Sequence, residues 1–515
     1  PGPDRRPEFH CRPTRGIPIP LHRALRSNAP VHAGEVAGWS QSIVLAGGAN
    51  ERRWSALMGA MEKSANFRYE LTQHAWVRRL LTSRWPQFAL RAVTLAGFVL
   101  VLLTGFMGSP IGSRNFAVMF VWIAWWSALK LLMLPFGGRA WCSICPIPMP
   151  GEWLQQGWLV KPGGKKFGLG LRWPRQLRGT WLQSAGFAAI GLFSAWTLTT
   201  PIVTAWIFAG LIIVAVAVSL IFEQRSFCRY LCPMGGFIGL YSGLAPLELR
   251  PQPHLTTEAK ILAAKEWPRG CPWINNPAAL KSNANCGLCL ECLRTETGSQ
   301  MQLNVRSFDA ELSQPSSFRL DEAFLSLGLL GSVMIYTAIF QGPWGVIKNA
   351  ALNVGTLAWW GFAGIFLLTS FGLLPATLAG ATWLARTFGQ AAQPLRLMFT
   401  RYSRALLPLG LLSWIAFTIS FAFGKMAYLW PVVSDPFGWG WNLFGTAGME
   451  WQPYLVNATP VIEVLLLAAG LIWSGKSVLD TTEQLGTASQ RRWSALPVIL
   501  FALAITVIML WLLIG

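Results

Sequence analysis

Nine stretches of this chain run close to twenty residues with almost no charge. A helix needs about that length to cross the roughly 30 Å hydrocarbon core of a bilayer. A backbone in lipid must satisfy its own hydrogen bonds, so such runs predict membrane helices. The predicted spans are Phe88–Met107, Phe116–Phe136, Trp181–Thr200, Ile202–Phe222, Ala323–Trp344, Leu357–Leu378, Ala405–Phe423, Val456–Trp473 and Leu496–Ile514. The sixth has a soft end, because the sequence stays apolar to Trp383. Composition agrees: 53% of residues are hydrophobic and 12% charged, and the mean hydropathy is +0.42, outside the range of ordinary soluble chains. The expected fold class is an all-α polytopic membrane protein of about nine transmembrane helices with a small cytoplasmic insert.

The net charge of +20 is distributed in a way that argues against nucleic acid. With a cytoplasmic N-terminus, alternate loops hold nearly all the Lys and Arg: Arg5 to Arg84, Arg139 to Arg178, Arg225 to Arg319, Arg386 to Arg404 and Lys476 to Arg492. The opposite loops hold Arg114, Lys348 and Lys425. This asymmetry follows the positive-inside rule, and the excess charge has anionic lipid as its natural partner. No aromatic-plus-basic recognition module accompanies it. The expected location is a prokaryotic inner membrane, multi-pass, with the N-terminus cytoplasmic. No cleavable signal precedes the first span, and the chain starts at Pro1. Four regions are expected. Residues 1–87 form a basic arm ending in an amphipathic helix around Glu51–Leu81, and residues 88–247 form duplicated transmembrane hairpins. Residues 248–320 are a cytoplasmic loop domain, and residues 321–515 a C-terminal bundle.

The first two hairpins end in related stretches, GGRAWCSICPIPMPGEW and EQRSFCRYLCPMGGFIG. Arg139, Trp141, Cys142, Cys145, Pro146 and Gly151 align with Arg225, Phe227, Cys228, Cys232, Pro233 and Gly235, an internal duplication with unequal spacers between the cysteines. A third cysteine group, NCGLCLECLRTETG, holds Cys286, Cys289 and Cys292 at C-x2-C-x2-C spacing, with Glu296 and Thr297 where a ferredoxin loop has Cys-Pro. Of nine cysteines, eight fall in loops expected to face a reducing compartment, where clustered thiolates read as metal or redox ligands rather than disulfides. Zinc is one reading of paired C-x2-C motifs. Iron–sulfur is the stronger: three thiolates on one tight loop suit the corners of a cubane, and Pro follows Cys145, Cys232 and Cys271. The orphan Cys271 is the expected fourth ligand beside Cys286, Cys289 and Cys292, leaving Cys142, Cys145, Cys228 and Cys232 for a second cluster. Exchanged partners stay open, as does Glu296 as a carboxylate ligand, and the cytoplasmic insert, residues 248–320, is expected to be a small ferredoxin-like cluster-binding domain.

WCSICP, FCRYLCPMGG and NCGLCLECLRT, followed by MQLNVRS, resemble the membrane-bound 4Fe–4S polyferredoxins of the NapH, NosR and CcoG type. The likeness covers roughly Phe88 to Arg306. It implies two [4Fe–4S] clusters on the cytoplasmic face and electron exchange with the quinone pool or a redox partner protein. The family's usual C-x3-C-P is C-x2-C-P at Cys142 and Cys145, and the helices after residue 320 have no counterpart in the resemblance.

Other residues carry paired readings. Arg139, Arg225 and Arg229 either tune a cluster or anchor topology, and Gly235–Gly236 either admit backbone close to a cluster or form a turn. Lys130 is expected to snorkel to the interface. Glu463 marks a proton or substrate path or sits protonated between helices. The tryptophans of Leu429–Leu455 are expected to form an interfacial belt or, secondarily, a docking surface. His10, His22, His32, His74 and His254 lie outside the spans, so no membrane-buried bis-histidine haem site is expected. Three functions follow: quinone-linked electron transfer, redox-dependent maturation or regulation of a respiratory metalloenzyme, and a transporter-like bundle with a structural metal domain.

Overall fold

The computed structural model describes residues 67–157, 167–252, 271–295, 300–314, 318–342, 345–485 and 491–515. The helices are α1 (Ala75–Thr82), α2 (Trp85–Met107), α3 (Phe116–Gly137), α4 (Ala140–Ile144), α5 (Met149–Gln156), α6 (Trp181–Leu192), α7 (Pro201–Ile221) and α8 (Pro233–Tyr241). They continue with α9 (Leu320–Phe340), α10 (Leu357–Phe388), α11 (Leu395–Ala405), α12 (Leu407–Lys425), α13 (Thr459–Gln484) and α14 (Arg491–Ile514). Proline sits in the first turn of α2, α7, α8, α12 and α13, where its missing N–H leaves no helical bond unmade.

Among the described residues, eight helices are long and apolar enough to cross a membrane. The expected third span, Trp181–Thr200, is interrupted: α6 ends at Leu192, and only Ser194–Thr197 resumes the helix. Gly191 lies where a Cβ would run into Phe366 and the Tyr336 hydroxyl, so close packing against α9 and α10 accompanies the break. The soft sixth span continues to Phe388, and the seventh belongs to a helical run from Leu395 to Ser434. Helices α9 and α12 are the inner pair, with Leu325, Leu329, Val333, Leu409, Trp414 and Ala416 buried. The outer helices α2, α7 and α13 expose Val93, Ile213 and Leu465, as lipid-facing surfaces should.

The expected helix Glu51–Leu81 begins outside the described residues. Within them, Arg68–Glu70 is a strand (β1) and helix is confined to α1, because an edge position on a sheet satisfies this segment's backbone. The sheet has the order β1-β3-β2 and is antiparallel, with β2 at Leu247–Pro251 and β3 at Met301–Arg306. The fold is therefore mostly helical rather than all-α. Leu249, Met301 and Leu303 turn inward with Cys286, Leu288 and Leu293 to form a small core. Glu248 is fully buried and accepts Arg68 at 2.8 Å, Arg306 at 3.0 Å and Arg250 at 3.3 Å, joining all three strands.

Candidate metal centre

The first motif is delivered by an irregular helix. Helix α3 contains two π-helical stretches, Met119–Trp125 and Leu129–Gly137, the second holding Pro135. Proline removes a backbone donor and π turns accommodate the mismatch. The chain then reverses at Gly138, whose φ is +54°, a left-handed conformation available to Gly at no steric cost. A side chain here would also press on Ser242 and Ala245. This turn aims Arg139 inward and starts α4, which carries Cys142. The second copy runs from α7 into a π turn, Phe227–Leu231, which carries Cys228, and then α8 opens after Cys232.

The two copies hold each other by exchanged arginines. Arg139 of the first donates from Nη2 to the Gly235 carbonyl at 2.7 Å, and Arg225 of the second donates from Nη1 to the Cys142 carbonyl at 2.9 Å. Both guanidinium groups are buried, each 4% exposed, so they are not surface anchors. Arg225 also forms a buried ion pair with Glu152, to which Arg91 adds a contact at 3.7 Å. Burial opposes the charge on Arg225, but Glu152 reverses the balance and raises its pKa. Arg229 donates to the Trp273 carbonyl and to Asn275 Oδ1 at 2.8 Å. Gly235 is required by packing, since a Cβ there would strike the Cys228 carbonyl.

The eight motif cysteines are free thiols that sort into two groups. Cys142, Cys145, Cys228 and Cys232 interact electrostatically with one another. Cys271, Cys286, Cys289 and Cys292 do the same, and all four line one small apolar cavity with Trp273, Gly287 and Leu249. The triple-cysteine loop is wound tightly: Leu288 and Leu290 have φ of 45° and 61°. For non-glycine residues each such conformation costs on the order of 1–3 kcal/mol, and such strain gathers at ligand clamps. Arg294 ties the loop to the start of the membrane helices, donating to the carbonyls of Leu81, Thr82 and Ser83 at 3.1–3.2 Å and to Gln87 Oε1 at 3.1 Å. Cys11 and Glu296 lie outside the described residues.

Between the groups stands Trp273, 1% exposed, with Arg139 over its ring at 4.9 Å and Arg225 at 5.7 Å. Each arginine acts on both groups: Arg139 on Cys142, Cys228, Cys232 and Cys286, and Arg225 on Cys142, Cys228 and Cys289. Burial pushes Cys232 and Cys286 up to about 11 and Cys289 up to about 12, and raises Cys142, Cys145, Cys228 and Cys292 as well. As free thiols they hold their protons, and a metal must displace them. Among the described residues, no three His, Cys, Asp or Glu side chains converge tightly enough for a single metal ion.

Sequence reasoning missed Trp273, Glu152, Gly287, Arg91 and Arg294. The Trp after Cys271-Pro272 and the Gly within C-G-L-C were available signals. The partner of Arg225 was not, because Glu152 reaches it from 73 residues away. Lys130 overturns its expectation: it is 1% exposed, with its ammonium 5.2–5.4 Å from the rings of Trp126, Trp414 and Phe417. Trp414 and Phe417 of α12 and Trp126 of its own helix enclose the amine, so it packs against aromatic rings instead of snorkelling. Glu463 is buried on α13, hydrogen-bonded to Ser420 of α12. Trp430, Trp439, Trp441 and Trp451 are exposed.

A family model described as a 4Fe-4S binding domain matches residues 118–169 and 203–249. These segments hold the two copies with Cys142, Cys145, Cys228 and Cys232. The match supports an iron–sulfur protein, and the apolar helices are compatible with a membrane protein. No curated protein and no solved structure matches the chain.

Proposed function

We propose that this chain is an integral membrane electron-transfer protein holding two [4Fe–4S] clusters, one on Cys142, Cys145, Cys228 and Cys232 and one on Cys271, Cys286, Cys289 and Cys292. The observation that carries the reading is the sorting of eight buried or half-buried thiols into two groups of four. The donor set fits: thiolates are the ligands such clusters take, and the four around Cys271 line one cavity. Bound clusters supply one-electron oxidation and reduction. The chain's own residues bury the thiols from water, and Arg139 and Arg225 offer positive charge to both groups, which favours added electrons in either. Exchange between the quinone pool and a redox partner protein, on the cytoplasmic side of an inner membrane, is part of the proposal. So is the role of residues 248–320 as a ferredoxin-like insert.

The test is iron and acid-labile sulfide on anaerobically purified protein, with EPR before and after dithionite, on the natural chain and Cys271→Ser. About eight iron and eight sulfide per chain are expected, falling toward four or to a three-iron signal in the variant. Stoichiometric zinc without sulfide would overturn the reading. A transporter-like role finds support in the burial of Lys130 and Glu463 inside the bundle. Its test is solute uptake that survives loss of all eight cysteines.

A further inference from the structure

A cavity of 720 Å³ opens beside the first cysteine group, where α6 and α9 begin and α8 passes. Six basic side chains line it: Arg139, Arg178, Arg229, Lys281, Arg319 and Arg404. Three carboxylates face them, Glu223, Glu311 and Glu322. Glu311 accepts Arg306 at 3.0 Å, Glu322 accepts the Arg319 N–H at 2.8 Å, and the Arg319 guanidinium is neutralised by an ion pair with Asp321, so five basic groups remain against three carboxylates. Arg178, Arg229 and Arg404 donate to the carbonyls of Trp173, Trp273 and Gln314. Those bonds fix their positions without cancelling their charge. The field in the cavity is therefore positive, and low-dielectric walls concentrate it.

Two buried groups in the wall lack partners. Arg139, 4% exposed, has no acceptor for Nε or Nη1, and the Thr180 hydroxyl is buried without a bond. A buried guanidinium donor left unmade is costly, which is the signature of a missing acceptor. Thr180 precedes the first residue of α6, a twelve-residue helix; its backbone N–H already donates to the Asp321 carboxylate at 2.6 Å, which caps the helix, and its hydroxyl is the donor left over. Gln183, one turn further along α6, packs on Gly235 and Gly236 beside the Arg139 anchor, making the wall continuous. Gly236 and Gly239 of α8 and Gly243 in the turn after it line the floor, and Arg139 Nη2 occupies the place a Cβ of Gly239 would take.

We propose that this cavity binds a phosphate-bearing ligand, with Arg139 taking its phosphate and the Thr180 hydroxyl adding a donor. The volume lies in the roughly 300–1,000 Å³ range of organic-ligand sites, so the site accepts a phosphate on a larger molecule. Two sources share that chemistry: the headgroup of an anionic phospholipid, and a free phosphate ester. The proposal does not depend on the cluster reading, since no cysteine lines the cavity.

Titration of the full chain with inorganic pyrophosphate, in neutral-lipid nanodiscs, tests it by calorimetry. Binding is expected to weaken about tenfold or more in Arg139→Gln, the loss of a charge-assisted hydrogen bond, and measurably in Thr180→Val and in Lys281→Gln. Arg386→Gln, outside the cavity, should leave it unchanged. Thr180→Val and Lys281→Gln keep the test valid if Arg139→Gln disturbs the hairpin contact. Repeating the titration in nanodiscs containing phosphatidylglycerol separates the sources: lost pyrophosphate binding identifies the headgroup, retained binding a soluble ligand. If pyrophosphate and phosphatidylglycerol both fail to bind, or if binding is equal in the natural chain and all three cavity variants, the proposal falls.

Discussion

Gly287→Ala should damage one cysteine group and spare the other. A Cβ at this position would lie 2.5 Å from Cζ2 of Trp273 and closer still to Nε1 and Cε2. Carbon atoms pack at roughly 3.5–4.0 Å, so the overlap exceeds about 1 Å along one edge of the indole. The ring has little room to yield: it is 1% exposed and lies between the guanidinium groups of Arg139 and Arg225. The loop must move instead, at an overpacking cost of about 1–3 kcal/mol. That cost falls on a segment already carrying left-handed Leu288 and Leu290, between two of the cysteines it presents. The predicted result is iron and sulfide falling from about eight toward about four per chain. The copy-to-copy bonds of Arg139 and Arg225 persist, so the signal of the Cys142 group should remain. Retention of the full iron content with an unchanged EPR spectrum would refute the steric argument and the placement of Trp273 against this loop.

Three further outcomes follow from the same geometry. Glu152→Gln leaves Arg225 buried without its counter-charge and should cost about 3–5 kcal/mol, read as a lower melting temperature of the whole chain; an unchanged value would mean that Arg91 and Arg225 are solvated by other means. In the metal-free protein, burial raises Cys286 and Cys289 from 9.0 to about 11 and 12. The unfolded chain therefore loses protons first, and stability present below pH 9 should decline progressively toward pH 12; a melting temperature flat across that window would contradict the buried thiols. Lys130→Met replaces a buried charge that, among the described residues, makes no ion pair, and should stabilise the fold by about 1 kcal/mol or more. A lower melting temperature would show that the aromatic cage outweighs the cost of burying the ammonium.

The runs of uncharged residues, the alternating Lys and Arg and the three cysteine motifs are local patterns, and each was legible along the chain. Hydrocarbon thickness converts a run length into a span, and thiolate chemistry converts spacing into a ligand set, without knowledge of what lies beside them. The duplicated R-x-aromatic-C pattern was legible for the same reason. What the sequence could not contain was the meeting of distant segments. Arg225 finds Glu152 and the Cys142 carbonyl, Trp273 slides between two guanidinium groups, and Arg294 reaches back to Leu81, all across loops whose closure depends on the whole bundle. The interrupted third span and buried Lys130 belong here too, since propensity and snorkelling describe an isolated helix in lipid and both are packed against protein. The sequence by itself determined that the chain carries helices long and apolar enough for a membrane and which cysteines stand at metal-ligand spacing. Only the tertiary structure decided which distant side chains meet the cysteine motifs, Glu152 on Arg225 and Arg139 over Trp273, because burial and Coulomb energy depend on distances in space that sequence separation does not encode.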